Sequence, residues 1–370
     1  MENASRIRLF LCGDVMTGRG IDQILPHPSD PRLYERSIQD ANQYVQLAER
    51  VHGSIDAPVN FDYVWGDCLG ELNSKDPSLR IGNLETAITK SDEPWPNKAV
   101  HYRMNPENLP VLEAADFDCL SLANNHILDW DYEGLEETIL ALQEADIRSV
   151  GAGANLDGAM QPAVFAKEGK PRVLVFGVGS VTSGIPSAWA AGRNRPGVFL
   201  IDESKPATLR ELISLIKELR HPDDVVILSM HWGSNWGYPI PSDQRRAARC
   251  LVDEAGVSIL HGHSSHHVRG FEVHNGSLIL YGCGDFLTDY EGIQGYDQFR
   301  DDLGLMYFPE FDISGSTVES IALTPTRLRR FRIERAPEED AAWLAEIVER
   351  ECGKLDERVD LTDRGWIAFS

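Results

Sequence analysis

Apolar runs of strand length alternate along this chain with amphipathic stretches of helical period, and that alternation restricts the fold more than any other feature. Strand-like runs stand at "IRLFLC", "LRIGN", "DCLSLA", "IRSVGA", "PRVLVFGV", "DVVILSMHW", "VSILHG", "SLILYGCG" and "LGLMYFPEFDI". Between several of them the apolar residues take helical spacing, at Tyr132 to Glu144, Lys205 to Leu219 and Ser242 to Ala255. The last of these reads as capped by Ser242 and closed by Gly256. Strands alternating with helices predict an α/β core. Two segments depart from the simple order. Residues 27–70 read as a helical insertion, with one helix over "PRLYERSIQDANQYVQLAERVHG", and from about 271 to 333 strand follows strand, as in antiparallel pairing. A helix at Glu338 to Cys352 and a loose tail, "LTDRGWIAFS", close the chain. The expected product is two packed sheets with helices outside. The 370 residues, without repeat or linker, are read as a single domain, 1–370, with the insertion at about 27–70 and the C-terminal helix plus tail at about 337–370.

In such folds ligands bind just past the carboxyl ends of the strands, and here several runs end in polar residues. "IRLFLCGDVM" ends in Asp14, "LRIGNLET" in Asn83 and Glu85, and "CLSLANNHILD" in Asn124, Asn125, His126 and Asp129. "VVILSMHWG" ends in His231, "SLILYGCGDF" in Asp285, and "ILHGHSSHHVRG" carries His261, His263, His266 and His267, four of the eleven histidines in the chain. Carboxylates, an amide oxygen and imidazoles together are what a one- or two-metal site needs, because hard oxygen and borderline nitrogen donors suit Mn, Fe, Zn, Mg or Ca. Each residue alone also has a plain reading: an Asp after Gly is a turn residue, an Asn pair is a cap or turn, and His231 beside Trp232 is a hydrogen-bonded core histidine. The joint occurrence is what points to metal.

Net charge bears on partners. At −23 the chain repels nucleic acid and anionic membrane surfaces, so neither is expected as a partner. Six cysteines without CxxC spacing suit reduced, buried thiols, and no export signal or apolar run of ~18 residues is visible. The expected location is the cytoplasm.

The blocks "GDVM", "NLET", "SLANNHILDWDYEGLEET", "HWG" and "HGHSSHH" followed by "YGCGDF" resemble the CapA-type proteins, named for capsule and poly-γ-glutamate synthesis, within the metallo-dependent phosphatase (calcineurin-like) superfamily. The likeness runs from residue 7 to the tail. It implies a four-layer αββα sandwich with one or two divalent metal ions at one edge. Carried over residue by residue, it makes Asp14 a ligand of the first metal, Glu85 the bridging carboxylate, Asn125 and His231 ligands of the second, and His126 the catalytic histidine. In the later motif His266 falls on one expected ligand and Ser264 on the other, so that His263 is taken as the substitute, with His261 and His267 beside the ligands or the substrate. Met16 replaces a first-motif histidine usual in phosphatases, which makes phosphoester hydrolysis a less direct transfer.

Three activities fit these residues. One is metal-assisted phosphoester hydrolysis with proton donation by His126, with Arg19, Arg103 or Arg269 as phosphate clamps. Another is cleavage or ligation of a peptide or γ-glutamyl chain. The third, suggested by the surplus of imidazoles and by a resemblance to soluble CapA-like enzymes of lasso-peptide pathways, is epimerisation at Cα of the C-terminal residue of a ribosomal peptide. It is the leading expectation, with Asp14, His126, His263 and His267 as candidate proton-moving groups and a metal-dependent phosphoesterase or hydrolase of the CapA type as the alternative. A non-enzymatic binding module follows if Met16 and Ser264 remove one metal. A peptide substrate would need flat apolar contacts, for which Trp189, Trp232, Trp236 and Tyr238 are candidates beside Arg103, unless these aromatics belong to the core.

Overall fold

The computed structural model describes residues 6–167, 170–293, 295–312, 317–355, 360–361 and 366–368. In chain order, β1 (Arg6–Val15), β2 (Leu79–Leu84), β3 (Cys119–Ser121) and β4 (Arg148–Val150) lie side by side and parallel. A second parallel set follows, β5 (Val173–Ser180), β6 (Val225–His231) and β7 (Ile259–His263). The antiparallel hairpin of β8 (Phe271–His274) and β9 (Ser277–Leu280) extends that sheet, with β9 beside β7. The chain then returns to the first sheet. There β10 (Asp285–Leu287) runs parallel to the end of β1, and β11 (Leu303–Asp312), β12 (Thr317–Arg329) and β13 (Arg332–Arg335) continue beyond it in antiparallel order.

Alternation along the strands sorts the side chains into three apolar layers. On β1, Leu9 and Leu11 enter one buried cluster and Phe10 and Cys12 another; on β6, Val225 and Ile227 join the cluster of Leu9 and Leu11, whereas Val226, Leu228 and Met230 enter a third. The shared cluster is therefore the filling between the sheets. Outside the first sheet, the helices Asn42–His52, Asp67–Lys75 and Asp131–Glu144 supply Ala48, Leu72, Leu135 and Leu142. Outside the second, Pro206–Leu219 and Ser242–Cys250 supply Leu212, Ile216, Ala247 and Ala248. The result is the expected four-layer αββα sandwich. Helix Glu338–Gly353 sends Leu344, Val348 and Cys352 into the layer between the sheets. Truncating a residue of that filling, such as Ile227, to alanine would cost about 2–5 kcal/mol.

Three expectations change. The helix read over residues 31–53 forms only at Asn42–His52. Ahead of it the chain folds on itself, with the Leu33 amide bonded to Gln39 O at 2.9 Å and that of Ala41 to Pro31 O at 2.7 Å, and Asp40 accepts the Asn42 N–H at 2.8 Å in place of a further helical turn. Ser242 lies inside its helix behind Pro241 and caps nothing; the helix passes into a π turn, Leu251–Ala255, before Gly256 ends it at φ 70°. The tail read as loose includes Trp366–Ala368, which pairs antiparallel with Ser320–Ala322 of β12.

Candidate metal centre

Strand register brings the oxygen donors of the first sheet to one level. Between β1 and β2, Leu11 faces Ile81 but Asp14 faces Asn83, so β1 carries one extra residue at a bulge. On its other side Asp14 faces Asp285 of β10. That pairing depends on two glycines: a Cβ on Gly13 would lie 1.7 Å from Gly284 O, and Gly284 adopts φ 79°, a left-handed backbone that glycine takes without strain. The Asp14 N–H donates to Gly284 O at 3.1 Å. Both aspartates thus close the same tripeptide, "CGD", at 12–14 and 283–285.

The nitrogen donors follow from the two-residue period. Val225 and Ile227 face the first sheet, so Ser229 and His231 do as well; Ile259 likewise sets His261 and His263. In register His231 faces His263 and Ser229 faces His261. His231 Nδ1 lies 2.9 Å from His263 Nδ1, Ser229 Oγ 2.8 Å from His263 Nε2, and His261 Nε2 donates across the sandwich to Cys12 O at 2.7 Å.

These donors converge in two sets that share Asp14. Ligand atoms of Asp14, His231 and His263 lie within 4.8 Å of one another, as do those of Asp14, His266 and Asp285. Around them, Glu85 Oε1 is 4.0 Å from His231 Nε2, and Asn125 Oδ1 is 3.0 Å from the same nitrogen. Asn83 Nδ2 holds Asp14 Oδ1 at 2.8 Å and Glu85 Oε2 at 3.1 Å, and is itself oriented by Asn124, whose Nδ2 reaches Asn83 Oδ1 at 3.1 Å.

The electrostatics fit a divalent cation. Burial first, then the neighbouring Asp285, raises the Asp14 carboxyl to about 7, against the hydrogen bond from Asn83. Burial, Asp14 and Asp285 together hold the Glu85 carboxyl well above its usual range, and burial pushes His231 and His263 well below theirs. Burial also opposes charge on His266, yet Asp285, 2.9 Å from its Nδ1, outweighs that and raises it. Asp14 Oδ2 and Asp285 Oδ2 are buried and accept no hydrogen bond from the described residues. Crowded carboxylates with free oxygens beside neutral imidazoles form a donor set suited to Mn, Fe or Zn.

His126 stands at the rim of this set. Its Nδ1 lies 2.7 Å from Asp129 Oδ2, which keeps the ring proton there and turns Nε2 toward Glu85 Oε1, 3.9 Å away. Lys98 Nζ reaches Asp129 Oδ1 at 2.7 Å and His126 Nδ1 at 3.1 Å. Burial, then Lys98 and Arg19, keep His126 neutral by holding it well below its ordinary value.

The structure gathers Asp14, Glu85, Asn125, His126, His231, His263 and His266 around one point and adds Asp285. Other candidates lie elsewhere. Trp232 continues the outward parity of Met230, is fully buried, stacks on Tyr281 and donates to Tyr281 O at 3.1 Å; as core it offers no face to a substrate. Trp189 is fully buried against Trp95, at 5.5 Å. The Arg103 guanidinium lies over Trp130, bound to Asp92 and Ser91 O at 2.8 and 2.7 Å, so it is already engaged. Arg19 is held by Asp289 and Glu35, and Arg269 by Ser234. His267 is spent at both nitrogens, bonding Val268 O through Nδ1 and accepting the Gly237 N–H at Nε2, which leaves it no proton to exchange. Trp236, at 5.3 Å from the His266 ring and stacked on the exposed Tyr296, lies beside the cluster. The sequence reading noted Asp285 as a strand end without making it a ligand; the repeated "CGD" was the signal.

A four-layer α/β sandwich with a carboxylate–imidazole cluster at its strand ends is the class of protein that fold and site define. The chain belongs to the bacterial capsule synthesis protein PGA_cap family, whose profile matches residues 8–290. It is 45% identical over 349 residues to a probable polyglutamine synthesis accessory protein of Mycobacterium tuberculosis, covering 94% of this chain and 92% of the relative. It is 28% identical to the PGA biosynthesis protein CapA of Bacillus subtilis, over 95% of this chain and 82% of that one. Among solved structures, a phosphatase of Mycoplasma pneumoniae aligns at TM-score 0.48 and 13% identity, over 90% of this chain and 95% of that one. Among the described residues no helix is long and apolar enough to cross a membrane.

Proposed function

We propose that this protein is a divalent-metal-dependent hydrolase that acts at a phosphoryl centre in support of polymer synthesis, as the names of its relatives, polyglutamine synthesis and PGA biosynthesis, suggest. The observation that carries this reading is the Asp129–His126 pair, with its free Nε2 aimed at the carboxylates. Asp14, His231 and His263 on one side, and Asp14, His266 and Asp285 on the other, would hold the cations, with Glu85 and Asn125 adding oxygens. Bound cations would supply positive charge that polarises the bond to be broken. His126, neutral with its proton on Nδ1, takes a proton at Nε2 from the attacking water and passes it on to the leaving oxygen, and Asp129 steadies the ring while it is charged. The free cysteines support work in a reducing compartment such as the cytoplasm.

Hydrolysis of p-nitrophenyl phosphate by the manganese-loaded protein, and its loss on chelation, tests this reading; no turnover of that ester or of a phosphorylated polymer precursor overturns it. A second reading, epimerisation at Cα of a peptide such as a lasso-peptide precursor, is favoured by one observation: the cluster beside His126 holds further imidazoles, of which His266 is kept protonated by Asp285. In D₂O, an intact peptide gaining one deuterium at Cα supports epimerisation, whereas release of fragments supports hydrolysis.

A further inference from the structure

Two tyrosines close over the candidate centre. Tyr102 packs edge-on against His126, with ring centroids 4.3 Å apart, and Tyr290 packs edge-on against His266 at 5.4 Å. Their hydroxyls meet at 2.7 Å. The pair thus bridges the imidazole placed to move protons and the imidazole placed as metal ligand. Tyr102 is anchored twice through its backbone, the N–H donating to Asp129 Oδ2 at 2.6 Å and the carbonyl accepting the Trp130 Nε1–H at 3.0 Å.

Arg19 fixes both rings from behind. Its guanidinium lies 4.4 Å from the Tyr102 centroid and 5.6 Å from that of Tyr290. It is immobilised in turn by Asp289, Glu35 and Tyr44. Arg19 itself takes φ 48°, an uncommon backbone for a side chain of its size. Strain of this kind persists only where the surroundings over-determine it, and it clusters at functional sites.

Proton accounting gives the consequence. Two phenols carry two O–H donors, and the bond between them uses one. Tyr102 is fully buried and, among the described residues, its hydroxyl has no other acceptor, so its proton goes to Tyr290. The Tyr290 proton is then left over. The Tyr290 ring packs on His266 at the candidate centre and the residue is only partly covered, so the unused proton sits at the edge of the cluster where a substrate would lie.

We propose that Tyr290, oriented by Tyr102 and Arg19, donates a hydrogen bond to an oxygen of the substrate held at the Asp14 cluster. The inference rests on the hydrolase reading and names a contact within it. Tyr102 and Arg19 are positioning residues. Tyr290 supplies a donor that neither the cations nor the engaged arginines provide, and it is preorganised, because its acceptor side is already occupied by Tyr102.

Tyr290→Phe keeps the ring and removes only the hydroxyl, and three measurements on the manganese-loaded protein decide the matter: bound metal, turnover of p-nitrophenyl phosphate, and binding of inorganic phosphate by calorimetry. Metal content and melting temperature should match the wild type, while kcat falls roughly 10²-fold and phosphate binds more weakly. Tyr102→Phe should give a smaller loss in kcat with metal retained, since it removes the partner and leaves the donor. Wild-type turnover together with unchanged kcat and unchanged phosphate affinity in Tyr290→Phe overturns the contact while leaving the hydrolase reading in place. A wild type that neither binds phosphate nor turns over the ester overturns the hydrolase reading, and the contact with it.

Discussion

The two sheets meet at one site with different chemistry. From the first come oxygens, Asp14, Glu85, Asn125 and Asp285, and from the second and the loop behind it come nitrogens, His231, His263 and His266. They are also held differently. The carboxylates of Asp14 and Glu85 are fixed by amide hydrogen bonds from Asn83 and, behind it, Asn124, whereas the His231 and His263 imidazoles are fixed by Ser229 and by each other, and that of His266 by Asp285 and Asn235. Burial drives Asp14 and Glu85 toward their protonated forms and His231 and His263 toward their unprotonated ones. Apart from His266, which Asp285 raises, each side is thus shifted toward neutrality, and a cation between them lets the carboxylates ionise without unpaired charge.

The largest effect that this division predicts is at the shared residue. Asp14→Ala removes a ligand from both sets, so bound metal measured by mass spectrometry and turnover should both disappear, with turnover falling on the order of 10³-fold or more. Retention of full metal would break the picture of a common carboxylate. Next comes His126→Ala, which should keep its metal and lose roughly 10²–10⁴-fold in kcat. Equal metal loss in the two variants would make His126 a ligand and would remove the separation between holding cations and moving protons.

How much of this was legible in the residues depends on what each signal reports. The sandwich was legible because period-two apolar strands sort themselves into layers whatever the loops do, as Leu9, Phe10 and Leu11 show. The convergence of Asp14, Glu85, Asn125 and His231 was legible because the carboxyl ends of parallel strands lie at one edge. The place of Asp285 in the cluster was not, since its three-residue strand reaches β1 only through the approach of Gly13 to Gly284, a tertiary fact with no local period. Aromatic residues misled for another reason. Trp232 and Trp236 both read as apolar surface near a histidine, yet the parity of β6 sends Trp232 into the core, and the loop that follows carries Trp236 to Tyr296. The helix over 31–53 failed at Pro31 and Asp40, where proline and an Asx hydrogen bond offer the backbone alternatives to helical pairing.

A smaller effect separates the sheets by pH. With Asp14 at about 7 in the metal-free protein, the carboxyl is protonated below that pH, and a cation must displace the proton. Apparent affinity should therefore fall on acidification below about pH 7, by about tenfold per unit for one displaced proton. His266, kept charged by Asp285, adds a proton to the same release, while His231 and His263 are already neutral and add none. In His231→Ala, calorimetric titration with manganese should show weaker binding with the break near pH 7 unchanged. Loss of the break would move the titration to the second sheet.

The smallest effect concerns His267, the fourth histidine of its motif. Its ring packs against Trp236 at 6.1 Å and Phe299 at 4.6 Å, which also touch each other at 5.4 Å, with Tyr238 edge-on at 4.7 Å. Burial pushes its pKa down to about 4, and both nitrogens are used in tying the loop at Gly237 to the loop after β7. A ring so placed acts as a bracket. His267→Gln should destabilise the fold by about 1–3 kcal/mol through the buried groups left unpaired, keep the metal, and change kcat by less than about tenfold, since it removes no group that acts in the chemical step. A drop as large as that of His126→Ala, with metal retained, would mean that the histidine-rich sheet moves protons as well as holding cations, and the division of labour between the two sheets would have to be redrawn around a proton path through the loop after β7.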